Sequence, residues 1–134
     1  MKKPINFLFW AAISGFTGVA FGAFGAHGLR DVLSADMLRV YKTGVDYHMW
    51  HALALGLIAL LQRQIPTDKI LCWAGCLMIA GIIIFSGSLY LLSITGMRWL
   101  GAITPFGGLA FLSAWLLLAI SAYKNTPNTF YQEN

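Results

Sequence analysis

The chain has 134 residues, of which 58% are hydrophobic and only 10% charged, with a formal net charge of +4. Soluble domains carry roughly 25% charged residues, and a short chain folded in water exposes too much of its area to hide so apolar a composition. A water-soluble globular domain is therefore excluded. No basic run is dense enough to bind nucleic acid, and the modest positive excess suits anionic lipid headgroups instead.

Charged residues leave four long gaps, at 4–29, 47–62, 70–97 and 99–123. A membrane-spanning helix needs about 20 mainly apolar residues, range about 17–25. Three gaps clear that length, and the second, at 16 residues, falls just short. The expected fold is an all-α integral membrane protein. It is a four-transmembrane-helix bundle with a short interfacial amphipathic helix between helices 1 and 2. As a single membrane domain over 1–134, its spans fall at about 5–28, 46–62, 69–94 and 100–123, with the amphipathic stretch at 29–45 and a polar tail at 124–134.

Lys2 and Lys3 precede the first span, but a secretory signal has an apolar stretch of only about 7–15 residues. The first helix is therefore expected to stay as a span. Pro4 suits a first helical position, where its missing N–H would be unpaired anyway. Ala11, Gly15, Gly18, Gly22 and Gly25 come next at spacings of 4, 3, 4 and 3, a seam of period 3.5. Ser14, Gly18, Gly22 and Ala26 form a second, overlapping row. In lipid such stripes let two backbones approach closely, so they mark a packing face. Its partner can lie in this chain or in another subunit.

After the first span, Leu29, Val32, Leu33, Met37, Val40, Tyr41 and Gly44 recur at helical spacing, with Arg30, Asp31, Arg39 and Lys42 mostly elsewhere on the wheel. This is the pattern of an interfacial helix. Ser34 is its N-cap, and it is expected to run nearly straight into the second span. Thr67 or Asp68 caps the third span, where Gly75, Ala80 and Gly81 allow close packing. Trp99 marks an interface. Either Thr104 caps the fourth helix with Pro105 first, or Pro105 kinks a longer one. Cys72 and Cys76 stand four apart on an apolar helix, fit neither a CxxC pair nor a disulfide framework, and are read as small buried hydrophobes. The loop cations (Lys2, Lys3, Arg63, Lys69 and Lys124 against Arg30, Arg39, Lys42 and Arg98) favour cytoplasmic termini by a narrow margin.

An up-down bundle brings one end of every span to the same half of the membrane. His27, Asp46, His48, His51, Ser86, Ser88, Tyr90, Thr95 and Thr104 all belong to that half. Intramembrane ionisable groups are costly and by default mark a site or a partner. His48 and His51, at i and i+3, share a helix face, and with His27 they could supply three nitrogens to zinc or copper. The competing reading is that they hydrogen-bond between helices, to Ser86, Tyr90 or backbone carbonyls. That reading is preferred, so no cofactor is assigned and a metal ion is the minor alternative. Asp46 either pairs with Lys42, four residues before it, or orients His27 or His48 from behind. Ser86 or Ser88 beside His51 lacks a deep acidic partner for nucleophilic chemistry, and no carboxylate lies deep enough for proton-coupled export. An enzyme is the weaker reading.

Four runs also carry a resemblance: Gly22-Ala23-Phe24-Gly25-Ala26-His27-Gly28, Tyr47-His48-Met49-Trp50-His51-Ala52-Leu53, Phe85-Ser86-Gly87-Ser88-Leu89-Tyr90, and Leu100-Gly101-Ala102-Ile103-Thr104-Pro105-Phe106-Gly107-Gly108. In that order they resemble the YgdD/YwdK-type family of small bacterial membrane proteins, a domain of unknown function. The resemblance implies a four-helix protein of the bacterial inner membrane and carries no activity, substrate or cofactor. The expected role is non-catalytic: packing with itself as a homo-oligomer or with a larger membrane complex, through Gly15, Gly18, Gly22 and Gly25. The alternative is binding or permeation of a small solute or lipid at His27, His48, His51, Ser86, Ser88, Tyr90 and Thr104, with Asp46 behind them.

Overall fold

The computed structural model describes residues 5–126. The readings made at Lys2, Lys3, Pro4 and the tail beyond Thr126 lie outside the described residues. Four helical spans cross back and forth, each long and apolar enough to traverse a bilayer. The first is α1, Phe7–His27, whose N-terminal amides are met by Asn6 Oδ1 at 3.2 Å from Phe9 N. A turn at 28–34 leads to Ser34, which accepts from Met37 N at 3.3 Å and opens α2, Ala35–Gln64. The amphipathic stretch from Ala35 and the second span are thus one 30-residue helix. Its added length resolves the shortfall of the apolar gap, since about 30 Å of hydrocarbon takes only about 20 of those residues.

Asp68 caps α3, Lys69–Gly81, through Ile70 N at 2.8 Å and Leu71 N at 3.3 Å. One π-helical turn, Ile82–Ser86, passes the third span on to α4, Gly87–Thr95. Gly96 ends it with φ +70°, a left-handed position at which glycine has no Cβ penalty. A 3₁₀ turn, Arg98–Ala102, precedes α5, Thr104–Lys124, and Pro105 lies in the first turn of α5 rather than inside a longer helix. Among the described residues no strand forms.

The central post is α2, which packs against α1, α3 and α4, while α5 lies along α3. The dry core occupies the half of the bundle away from the histidines: Phe7, Leu55, Ile58, Leu71, Met78 and Ala114 are all nearly inaccessible. Lipid tails are as apolar as leucine, so van der Waals fit rather than water exclusion holds such helices together. The glycines show how tight that fit is. A Cβ on Gly75 would stand 2.5 Å from the Phe7 ring, and one on Gly107 would collide with the backbone of Phe85. The seam of α1 is used inside the chain. Gly18 faces Met49 and His48, Gly22 faces Val45, and Gly25 lies under the Tyr41 ring, whose hydroxyl donates to Phe21 O at 2.8 Å. Gly15 has open space beside it.

At the far end of the core, α3 and α5 are clasped by one carboxylate. Asp68 Oδ2 accepts from Ser121 Oγ at 2.5 Å and from Asn125 Nδ2 at 3.0 Å, while Oδ1 serves the helix cap. The Ser121 hydroxyl, with help from the Leu71 and Ile70 amides and Asn125, holds the carboxyl below its ordinary value of 3.8 against the opposing effect of partial burial.

These contacts set two expectations. Gly107→Ala should lower stability by about 1–3 kcal/mol, the usual cost of overpacking, because backbone cannot move aside. Gly15→Ala should leave the thermal unfolding midpoint in detergent unchanged, and equal effects of the two would contradict the packing described. A carboxyl with a depressed folded-state pKa stabilises the fold above its unfolded value and loses that contribution as pH falls through the folded value. The Asp68 clasp should therefore hold at neutral pH and fail only below about pH 4. Ser121→Ala should cost about 1 kcal/mol at neutral pH and move the acid-side loss upward, as read from unfolding midpoints against pH.

Candidate functional site

Polar side chains in hydrocarbon have no water to turn to, so each must find a partner within the protein. His48 and His51 share α2 but are separated by about 60° around it, since three residues advance about 300°. That angle sends the two rings to different neighbours.

His51 turns toward α5. Its Nδ1 lies 2.7 Å from Tyr47 O, a carbonyl that can only accept, so Nδ1 carries the proton and donates. Nε2 is then the acceptor for Trp115 Nε1–H at 3.3 Å. The ring stacks on Phe111 with centroids 3.5 Å apart and on Tyr47 at 5.7 Å. Both nitrogens are engaged, and the Phe111 ring covers one face of the imidazole.

His48 turns toward α1 and α4. Nδ1 lies 3.0 Å from Tyr90 Oη, and Nε2 lies 3.4 Å from Thr17 Oγ1. The Tyr90 hydroxyl has no other partner among the described residues, so its proton goes to Nδ1, leaving the imidazole N–H on Nε2. Thr17 in turn donates to Ile13 O at 3.0 Å and Ser14 O at 3.1 Å. A chain of hydrogen bonds thus runs from α4 through α2 to α1. The Phe21 ring packs against Tyr90 at 5.0 Å and closes it on one side.

This chain forms part of the wall of a cleft. Because α1 is fastened chiefly to α2, a gap remains between α1 and the α3–α4 arm. Two adjoining cavities of about 320 and 610 Å³, sharing Phe21, Ile83, Gly87 and Tyr90, make up that gap and open on their outer side. Ser14, Thr17 and His48 line the smaller one. The Ser14 hydroxyl is buried and has no hydrogen-bond partner. No Asp, Glu, Lys or Arg lines either cavity.

Of the remaining members of the sequence-read cluster, Ser88 borders the larger cavity of the cleft, while His27, Asp46, Ser86 and Thr104 stand apart from it. Ser88 and Thr104 pair with each other at 2.7 Å, joining α4 to α5, with Ser88 also on Phe85 O at 2.9 Å and Thr104 near Leu100 O at 3.3 Å. Ser86, on the π turn, is 1% exposed and its hydroxyl is unpartnered. His27 is exposed at the end of α1. Asp46 is half-buried and lines a separate groove with Arg30, Lys42 and Tyr41; the ion pair found among the described residues joins Arg39 to Asp36 instead. Among the described residues no three His, Cys, Asp or Glu side chains are grouped to hold a metal ion, so His27, His48 and His51 do not converge as a ligand set. Ser86 and Ser88 have no histidine within hydrogen-bond reach. Thr17 and Trp115 were not singled out by the sequence pattern, and Ser14 was read there only as a small packing residue. Ser14 and Thr17, three apart and beside the glycine seam, were the legible signal; nothing local marked Trp115.

A family model described as a protein of unknown function, DUF423, matches residues 21–108. The UPF0382 membrane protein YwdK of Bacillus subtilis is 47% identical over 118 residues, covering 88% of this chain and 96% of its own length. A UPF0382 membrane protein of Staphylococcus haemolyticus is 44% identical, covering 88% and 95%. The UPF0382 inner membrane protein YgdD of Escherichia coli is 41% identical, covering 87% and 88%. No solved structure matches the chain. The four apolar helices and these relatives make this a multi-pass protein of the bacterial inner (plasma) membrane. The chain belongs to the DUF423 family of membrane proteins of unknown function.

Proposed function

We propose that the protein is a non-catalytic, membrane-embedded binding protein that takes a lipid-soluble small molecule into the cleft between α1 and the α3–α4 arm. One observation carries this reading: the Tyr90–His48–Thr17 hydrogen-bond chain borders an otherwise apolar, uncharged cleft that opens on its outer side. Pockets of about 300–1,000 Å³ with apolar walls and a few converging polar groups are the usual form of small-molecule sites.

Packing with itself or with a larger complex has less to stand on. Gly18, Gly22 and Gly25 are already taken up by α2, so another subunit would have to use the outer face of α1, where Phe16 is 73% exposed and Val19 62%. Large side chains facing lipid are what any span presents, and they name no partner. His51, with both nitrogens engaged, serves to lock α2 to α5.

Organic extracts of protein purified in mild detergent, read by mass spectrometry, should contain an enriched lipid-soluble compound. Loss of a hydrogen-bonding group in Thr17→Val or Tyr90→Phe should reduce its retention about fivefold, while Ser121→Ala, altering the Asp68 clasp at the far end of the bundle, should leave it unchanged. Identical extracts from all four proteins, with unfolding midpoints confirming that each is folded, would remove the reading.

A further inference from the structure

We infer that a second site binds one phosphatidylglycerol, its phosphodiester held between Arg30 and Lys42 in a groove where α1 ends and α2 begins. This groove is distinct from the cleft, and its occupancy does not depend on the binding role proposed above. It holds about 450 Å³. Depth points to a lipid. About 20 residues cross about 30 Å of hydrocarbon, and counted back from the end of α2 at Gln64 they reach Val45. Lys42 is three residues earlier and so about 4.5 Å further out, at the level of lipid phosphates. Arg30 lies in the turn that joins the two helices outside the hydrocarbon. Below these cations the groove continues over Gly22, Ala26 and Val45, small apolar residues that leave room for an acyl chain.

Charge selects the headgroup. Arg30 and Lys42 are exposed, Asp46 is half-buried, and all three line the groove. Two cations against one carboxylate leave a single positive charge in excess. The ion pair found among the described residues, Arg39 with Asp36, lies outside the lining and does not use up these groups. Guanidinium holds phosphate through paired N–H donors and ammonium holds it as a point charge. A phosphodiester with an uncharged glycerol headgroup brings one negative charge and balances the groove. Phosphatidylethanolamine brings an ammonium as well, so the excess positive charge remains.

Continuity with the hydrocarbon separates a phospholipid from a free phosphate. A soluble anion would use only the rim, where both cations are open to water and salt screens them. A phospholipid keeps its phosphate at that rim while its upper acyl chain covers the apolar floor, adding burial to charge. Tyr41, 3% exposed and fixed by its bond to Phe21 O, gives the floor a rigid back.

The test is native mass spectrometry of the intact protein in detergent, titrated with phosphatidylglycerol and with phosphatidylethanolamine of the same acyl chains. Phosphatidylglycerol should give a saturable one-to-one adduct, bound at least about fivefold more tightly than phosphatidylethanolamine. Arg30→Gln and Lys42→Gln should each weaken it about fivefold. Arg39→Gln removes a cation at the same end of the bundle but outside the groove, and should leave binding unchanged. All three side chains are exposed, so these variants keep the fold, as unfolding midpoints can check. Equal losses from Arg39→Gln and Lys42→Gln would show diffuse attraction to a charged surface and overturn the site. Binding of phosphatidylethanolamine as tight as that of phosphatidylglycerol overturns the headgroup assignment. Displacement of the lipid by the soluble headgroup glycerophosphoglycerol overturns the acyl-chain contribution, and with it the choice of a lipid over a free phosphodiester. No saturable adduct with either lipid overturns the whole proposal and leaves the cleft untouched.

Discussion

Hydrocarbon offers no hydrogen bonds, and that constraint orders this structure more than any single contact. Backbone polarity is answered by forming four helical spans. Side-chain polarity is answered helix by helix: Tyr41 on Phe21 O, His51 between Tyr47 O and Trp115, Ser88 on Thr104, Ser93 on Tyr90 O, and Ser121 on Asp68. Most of these bonds tie two helices, and each in lipid is worth about 0.6–2 kcal/mol. The bundle has an apolar core toward one membrane face, closed at its end by the Ser121–Asp68 clasp, and most of the other ties toward the opposite face, joined through α2.

Close approach and hydrogen bonding depend on each other here. Gly25 permits the Tyr41 ring to lie on α1, which puts its hydroxyl within reach of a carbonyl. Gly44 leaves room for Tyr90, a Cβ there standing only 3.0 Å from its ring, and Tyr90 can then reach His48. On the other side Gly107 meets the backbone of Phe85 within the π turn. A π turn widens the backbone and shifts the register of the helix beyond it, so Ser88 in α4 faces Thr104 while Ser86 within the turn faces no acceptor at all.

The four apolar spans, the Ser34 cap and a cap at Thr67 or Asp68 could be read from charge gaps and cap residues, because those are local. The site could not. His48 and Thr17 are 31 residues apart in the chain, His48 and Tyr90 42, and His51 and Trp115 64. Whether they meet depends on how each helix is rotated about its axis, and a strongly apolar helix with no polar face leaves that rotation unwritten. The i, i+3 spacing of the two histidines pointed to a shared ligand; the roughly 60° between them was enough to give each its own partners. The π turn left no trace beyond the flanking Gly81 and Gly87.

Two hydroxyls among the described residues escape the rule that buried polar groups are paired, those of Ser86 and Ser14. Ser86 is 1% exposed, borders neither cavity of the cleft, and has protein on every side. Its unmatched hydroxyl is a local cost of the π turn, and no molecule from the bilayer can relieve it. Ser14 borders the cleft, yet its hydroxyl oxygen is as inaccessible as that of Ser86, so it too is a local cost of packing and not a free donor. What the cleft presents is apolar wall beside the Tyr90–His48–Thr17 chain, with no charge in its lining. A molecule entering there from hydrocarbon would have to be uncharged, because a bare charge would find no counter-charge.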